Sequence, residues 1–162
     1  MTGIVSQLAA DLGVSPVTLR RAIAIGLVRA ERPSPRKAEI SVGERVYLRE
    51  YWPLLSALRA ALRSEPRVQV AVLYGSQARG SAGDSSDVDM AVLAGGAERG
   101  FLYELQTRLS AAVGREVAVT DLADAMASPR MRPQLLEDGR TLVQRGDIRW
   151  RQLRAAKGWR HA

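Results

Sequence analysis

Two carboxylates and a glycine-serine turn are the residues whose spacing could support phosphate chemistry. Gly75 and Ser76 end the apolar run of residues 68–74, and Asp87 and Asp89 open the next apolar run. Residues two apart on a strand point the same way, so both carboxylates project to one face. Two adjacent carboxylates repel each other unless a cation lies between them, and Mg²⁺ takes such oxygen ligands together with substrate phosphates. The conjunction predicts a phosphate and metal site.

The turn between these strands carries further polar groups. Gly75 allows the backbone to turn sharply, and Ser76 can begin a short helix whose first N–H groups suit a phosphate. Arg79 could hold a phosphate oxygen, or it could anchor the turn to a carboxylate. Each motif alone is common in solvated turns; it is their order along the chain, strand, turn, acid pair and strand, that indicates a functional site.

This arrangement resembles the signature of the polymerase-beta-like nucleotidyltransferases. Residues 75–80 read Gly-Ser-Gln-Ala-Arg-Gly and residues 86–89 read Ser-Asp-Val-Asp, which is similar to the minimal branch of that family. The stretches 114–122 and 134–143 match the same branch. The resemblance covers about residues 67–145, roughly half of the chain.

The resemblance implies a reaction and its cofactors. The family transfers a nucleotide, commonly AMP from ATP, to an acceptor hydroxyl with two metal ions, which stabilise the attacking and the leaving oxygen. By this resemblance Gly75, Ser76 and Arg79 would bind the nucleotide. Asp87 and Asp89 would be the catalytic residues that ligate Mg²⁺.

One position departs from the family's pattern. A third carboxylate usually lies on a later strand, and the aligned position here is Ala118. Asp121 follows three residues later, and on a regular strand the two point to opposite faces. Asp121 can serve as the third catalytic acid only if the strand bulges or ends early. The sequence therefore leaves two hypotheses, an active transferase and an inactive nucleotide-binding relative.

The first 66 residues predict a different module. Apolar residues recur at helical spacing from Ile4 to Leu12, and Gly13 ends that helix. Ser15 is a good N-cap with a proline after it, and the second helix should end before Gly26. Residues 8–21 resemble the helix-turn-helix motif of DNA-binding proteins. Short strands at 27–30 and 38–40, around a basic loop, would form a wing.

This module predicts DNA as a partner. The second helix would enter the major groove and the wing would contact phosphates. The alternative is a protein–protein module with a solvated basic loop. The residues expected to contact DNA are Ser15, Thr18, Arg20, Arg21, Arg36 and Lys37.

The predicted fold class is therefore α+β, a winged helix-turn-helix followed by a small mixed-sheet nucleotidyltransferase domain. The expected boundaries are 1–66, which includes a linker helix over about 42–63, then 67–145, and a basic tail at 146–162. In the second module we expect strands at 68–74, 87–93, 116–121 and 140–144. Helices at 98–113 and 130–138 would cover one side of the sheet, and a proline at position 53 should kink or split the linker helix.

Charge is distributed unevenly among these segments. Residues 1–66 carry 10 basic and 6 acidic side chains, residues 67–144 carry 8 and 10, and residues 145–162 carry 6 and 1, so the net charge of +7 comes from the two ends. Basic ends fit nucleic-acid contacts and an acidic centre fits cations. The tail, in which two tryptophans interleave with basic residues, could bind nucleic acid or an acidic partner, or it could be a frayed, solvated terminal helix.

The remaining expectations concern location and partners. The chain has no cysteine, no apolar run of membrane-spanning length and no signal pattern, which favours the cytoplasm. Relatives of this size often work beside a HEPN-domain protein as a toxin–antitoxin or regulatory pair. The expected function is transfer of a nucleotide to a hydroxyl of a partner protein or RNA. The alternative is a DNA-binding regulator with an inactive transferase fold; transfer to a small molecule is disfavoured because no extra substrate-binding domain is evident.

Overall fold

The chain forms two compact units. The computed structural model describes residues 3–34, 37–81, 86–95 and 99–155. One unit comprises Met1–Pro53 and the other Leu54–Ala162. The division falls inside one helix, upstream of the boundary at residue 66 that the sequence indicates.

The first unit contains helices followed by a two-stranded antiparallel sheet. Its elements are α1 (Ile4–Leu12), α2 (Pro16–Ile25), β1 (Glu31–Ser34), β2 (Lys37–Glu39) and the beginning of α3 (Val42–Arg63).

The two helix ends in this unit follow the expected local rules. Gly13 and Gly26 adopt φ values of 71° and 87°, the left-handed region in which a glycine readily terminates a helix. The Ser15 hydroxyl accepts a hydrogen bond from the Thr18 N–H at 3.1 Å, so Ser15 caps α2 as predicted. The turn between α1 and α2 is therefore fixed by backbone chemistry at both of its ends.

Side-chain packing and two polar contacts hold this unit together. Its buried apolar side chains include Leu8, Leu19 and Leu27. Arg49 on α3 donates to the Asp11 carboxylate at 3.0 Å, and the Glu44 carboxylate accepts the Arg29 N–H at 2.8 Å.

Two expectations for this unit need correction. The first strand begins at Glu31 and not near residue 27, because Leu27 and Val28 are buried in the core after α2. Helix α3 is not split at Pro53, which lies inside one continuous helix.

The second unit is a four-stranded mixed sheet with helices. After the end of α3 its elements are β3 (Val68–Tyr74), α4 (Ser76–Arg79), β4 (Val88–Ala94), α5 (Arg99–Val113), β5 (Val117–Asp121), α6 (Leu122–Ala127), α7 (Met131–Asp138), β6 (Arg140–Gln144) and α8 (Trp150–Ala155). The strand order is β5-β4-β3-β6; β3 is antiparallel to both of its neighbours, and β4 and β5 are parallel. The four strands and the two longer helices confirm the predicted mixed α+β fold.

The sheet is covered on both faces and not on one. Successive residues of β3 from Val70 to Tyr74 are all buried, and neighbouring side chains on a strand point to opposite faces. One face packs on α6, α7 and Trp150, in a cluster that contains Tyr74 and Ala91. The sequence did not indicate α6, which is only six residues long, whereas α8 lies in the basic tail, where a terminal helix is one of the expected alternatives.

Trp150 also changes the account of the C-terminal tail. It is 3% exposed and belongs to the core of the second unit, so the expectation of a solvated helix is wrong at this position. Trp159 lies outside the described residues. Among the residues that are described, no helix has both the length and the apolar character needed to cross a bilayer.

Arg145 fastens the end of β6 to the start of the unit. Its guanidinium donates to the backbone carbonyls of Leu62 at 2.9 Å, Glu65 at 2.7 Å and Val68 at 2.6 Å. The last carbonyls of a helix have no partner within it, and a cation placed there is favourable. Arg145 thus closes the carboxyl end of α3 against β3.

Candidate functional site

The Gly75 backbone lies directly beside the Asp89 carboxylate. Tyr74 and Asp89 are register partners on β3 and β4, which brings the turn after β3 beside the acid. Gly75 has a φ of 75°, and a Cβ added to it would lie 2.8 Å from Asp89 Oδ2. Any other residue would be strained by the backbone and would displace the carboxylate, so this turn requires glycine.

The negative charges of Asp87 and Asp89 influence each other. Burial raises the pKa of Asp89, and the negative charge of Asp87 raises it further, while Arg130 and Arg79 lower it in part. Asp87 itself is exposed and Asp89 is half-buried. A divalent cation would remove this repulsion, and two carboxylates that leave room for phosphate oxygens fit Mg²⁺.

Asp121 is not brought to this acid pair. The parallel register runs without a break from Asp89↔Ala118 to Val92↔Asp121, so Ala118 lies beside Asp89 and Asp121 belongs to the other face. The Asp121 carboxylate accepts the N–H groups of Ala123 at 2.9 Å and Asp124 at 3.2 Å and caps α6. The strand does not bulge, so the condition under which Asp121 could replace the missing acid is not met.

Hydroxyl groups lie on the Asp89 face of the sheet, near Ala118. Tyr74 is buried, which raises the pKa of its phenol, and a side-chain hydrogen bond with Thr120 lowers that pKa in part. Within residues 3–34, 37–81, 86–95 and 99–155, no three His, Cys, Asp or Glu side chains form a group that could hold a metal ion. The described part of the site therefore offers two carboxylates, those of Asp87 and Asp89.

Arg79 anchors the turn to a carboxylate, one of its two expected roles, and its contact with a phosphate stays a prediction. Its guanidinium forms an ion pair with Asp138 at 2.9 Å, at the end of α7. Arg79 is still 43% exposed on its side chain, and its charge lowers the pKa of Asp89. It is thus an anchor of the turn that also contributes positive charge to the site.

Two further side chains hold α4, and the sequence analysis missed both. Gln77 is fully buried and donates to the Ser86 carbonyl at 3.1 Å, one residue before Asp87. Arg140 is 1% exposed and donates to the Ala78 carbonyl at 2.8 Å. The available signal for Arg140 was an arginine at the start of a predicted strand.

Arg130 is a third residue that sequence reasoning missed. It precedes α7, and the next residue, Met131, packs against the cluster that contains Tyr74. Its charge lowers the pKa of both Asp89 and Tyr74, while its side chain is exposed. Arg130 therefore places a positive charge near the acid pair, where the negative charge of a phosphate group would benefit from it.

Five of the six residues expected to contact DNA lie in the described part of the first unit. Arg20 and Arg21 are exposed on α2. Ser15 and Thr18 hydrogen-bond to each other through their hydroxyls at 2.9 Å while capping that helix. Lys37 is exposed and lies 4.0 Å from Glu39, and Arg36 lies outside the described residues.

Comparison with known proteins identifies a family for the second unit. A family model described as "Polymerase beta, Nucleotidyltransferase" matches residues 57–148, which is more than half of the chain. The curated proteins contain no match.

A solved toxin–antitoxin structure with AMP-PNP is 29% identical, with a TM-score of 0.48, over 56% of this chain and 73% of that chain. An MntA–HepT toxin–antitoxin structure is 26% identical, with a TM-score of 0.44, over 58% and 73%. A tri-AMPylated Shewanella oneidensis HEPN toxin with its MNT antitoxin is 26% identical, with a TM-score of 0.44, over 59% and 73%.

The two possible roles of Asp121 give opposite results for the Asp121→Asn variant. Asparagine caps a helix about as well as aspartate but is a weaker magnesium ligand. We expect unchanged Mg²⁺ affinity by calorimetric titration and little change in stability. Asp121→Ala should cost about 0.5–2 kcal/mol of unfolding free energy through the lost cap. Loss of Mg²⁺ affinity in Asp121→Asn, at unchanged stability, would restore Asp121 as a metal ligand.

Proposed function

Because the chain belongs to the polymerase beta nucleotidyltransferase family, we propose that its second unit transfers AMP from ATP, with Mg²⁺, to a hydroxyl of a partner protein or an RNA end. The acceptor oxygen would bond to the α-phosphorus, and pyrophosphate would leave. The observation that carries this proposal is the approach of Gly75 to the Asp89 carboxylate beside Asp87. The turn at Gly75 tolerates no side chain, and it lies beside two carboxylates whose mutual repulsion a cation would reduce.

Each part of the site has a separate task in this proposal. Asp87 and Asp89 would hold Mg²⁺, which when bound supplies positive charge to the phosphates and orients them. Gly75 leaves space beside Asp89, and with Ser76 it would face the triphosphate, as the family resemblance implies. Arg130, whose charge reaches the acid pair, would add attraction for the nucleotide before transfer.

A second candidate function follows from Ala118. It lies beside Asp89 in the register, where the family's third acid is expected, and Asp121 Oδ1 caps α6. A site with two acids retains ligands for a magnesium–nucleotide complex, whereas activation of the acceptor hydroxyl loses one ligand. The second candidate is thus a protein that binds the nucleotide as a signal or for assembly and does not transfer it.

One experiment separates these two functions. The full chain is incubated with ATP labelled at the α-phosphate, with Mg²⁺ and cell lysate, and label transfer is measured. An active transferase labels an acceptor. The Asp87→Asn/Asp89→Asn variant should transfer label at least about a hundredfold more slowly, which is the usual size of charge-stabilisation effects. Asp124→Asn, an acid on α6, serves as the charge control.

The outcomes of that experiment assign the function. Equal labelling by the double variant would refute the transferase. MgATP binding without labelling, together with labelling by an Ala118→Asp variant, would establish the second candidate, because the added acid then completes an otherwise preserved site.

We further propose that the first unit is a winged helix-turn-helix that binds DNA. Helix α2 buries Leu19, Ala22 and Ile23 and exposes the opposite stripe. That stripe has the spacing i, i+3, i+4 and i+7 and consists of Val17, Arg20, Arg21 and Ala24. Arginines can bond guanine edges or phosphates, and an exposed apolar side chain such as Val17 suits a thymine methyl group.

Removal of the two arginines tests this proposal. Duplexes that bind the wild-type chain are first selected from a random pool. The Arg20→Ala/Arg21→Ala variant should bind them at least about tenfold more weakly, with a salt slope reduced by about 2.

Arg63→Ala/Arg67→Ala, two exposed arginines of the second unit outside the basic tail, is the control because it removes the same net charge. Unchanged affinity and salt slope in the α2 variant would refute the proposed recognition helix. Equal losses of DNA affinity in both variants would mean that only the net charge of the chain matters.

The proposed acceptor or partner is a HEPN-domain protein, in a toxin–antitoxin or regulatory pair. Its support is the sequence resemblance of residues 75–89 to the minimal branch of the family. A cytoplasmic location stays a prediction from composition.

A further inference from the structure

Arg140 is the most deeply buried charged side chain in the described part of the chain. It opens β6 and is 1% exposed. A buried guanidinium is costly unless it is paired and hydrogen-bonded, and an apolar side chain of similar size would often be as stable. Its position therefore calls for a reason beyond packing.

One contact of Arg140 is with the short helix of the candidate site. Its Nε donates to the Ala78 carbonyl at 2.8 Å, in the last turn of α4. Arg79 bonds to Asp138 at 2.9 Å, two residues before Arg140 in the chain. Gly139 lies between Asp138 and Arg140 in the chain, and a Cβ added to it would collide with the Leu135 carbonyl. The corner between α7 and β6 is thus tightly built and holds the carboxyl end of α4 at two points.

Helix α4 contacts both parts of the site, the segment before Asp87 and the Asp89 carboxylate. Gln77 bonds to the Ser86 carbonyl, directly before Asp87, and Gly75 borders the Asp89 carboxylate. A shift of α4 would therefore change the space beside Asp89 and the segment that carries Asp87 together. A four-residue helix has too few internal hydrogen bonds to hold such a position without external contacts.

We propose that Arg140 is a positioning residue, which fixes α4 so that Gly75 and Ser76 meet the nucleotide's phosphates while Asp87 and Asp89 keep their spacing. This inference rests on the proposed nucleotide site of the second unit. Arg140 does not touch the substrate; it acts through the Ala78 carbonyl and the helix that contains it.

Arg145 provides a matched control in the same strand region. It also donates from its guanidinium to backbone carbonyls, those of Leu62, Glu65 and Val68, but it lies beyond the other end of β6. Arg140→Lys and Arg145→Lys thus make the same chemical change in two carbonyl clamps. Only one of these clamps holds α4.

The experiment compares MgATP affinity and thermal stability of the full chain in both variants. We expect both substitutions to lower the melting temperature. Only Arg140→Lys should weaken MgATP binding, by about tenfold or more, because small misplacements of positioning groups have effects of this size. If the wild-type chain transfers nucleotide, Arg140→Lys should raise KM for ATP more than it lowers kcat.

A second variant keeps the test decisive if Arg140→Lys folds poorly. Asp138→Asn releases Arg79 from the same corner without disturbing the core, and it should weaken MgATP binding in the same direction by a smaller factor. Equal MgATP affinity in Arg140→Lys and Arg145→Lys, or unchanged affinity in Asp138→Asn when the first variant is unfolded, overturns the positioning role. A wild-type chain that does not bind MgATP overturns the nucleotide site itself, which is a separate result.

Discussion

The close approach of Gly75 to the Asp89 carboxylate is the constraint on which the site depends. It requires a backbone with φ of 75° at the end of β3, and it requires the register that pairs Tyr74 with Asp89. Helix α4 starts at the next residue, Ser76. Arg140 and Gln77 hold that helix against β6 and against the segment before Asp87, so the turn and the acid pair form one structural unit.

The electrostatic environment of Asp89 favours a bound cation. Asp89 is held where burial and the charge of Asp87 raise its pKa, so at neutral pH its ionised form opposes folding. Structural ion pairs usually have the reverse effect on a carboxylate, and unfavourable ionisation of this kind is typical of functional sites. The positive charges of Arg130 and Arg79 offset part of the cost and would also attract phosphates. The nucleotide and its metal would supply the rest.

The sequence was sufficient for the strands of the second unit and for the longer helices, because apolar periodicity and turn chemistry are local signals. It was insufficient for the first strand of the first unit, for α6, which is too short to show a period, and for the burial of Trp150, which depends on distant strands. Asp121 illustrates the same limit: its place in the chain suggested a ligand, but a carboxylate at the start of a helix caps its N–H groups. Arg140 and Gln77 escaped notice because their roles exist only through contacts with α4.

The stability of wild type and Asp89→Asn, each with and without MgATP, tests the central claim most directly. Because folding raises the pKa of Asp89 above its ordinary 3.8, ionised Asp89 costs stability once the pH exceeds that raised pKa. Without ligand, the variant should melt above wild type at neutral pH, and the difference should vanish as the pH falls towards about 3.8. MgATP at a hundredfold its Kd should stabilise wild type by about 2.7 kcal/mol and the variant far less. A variant that melts below wild type at every pH and gains equally from MgATP would contradict the account.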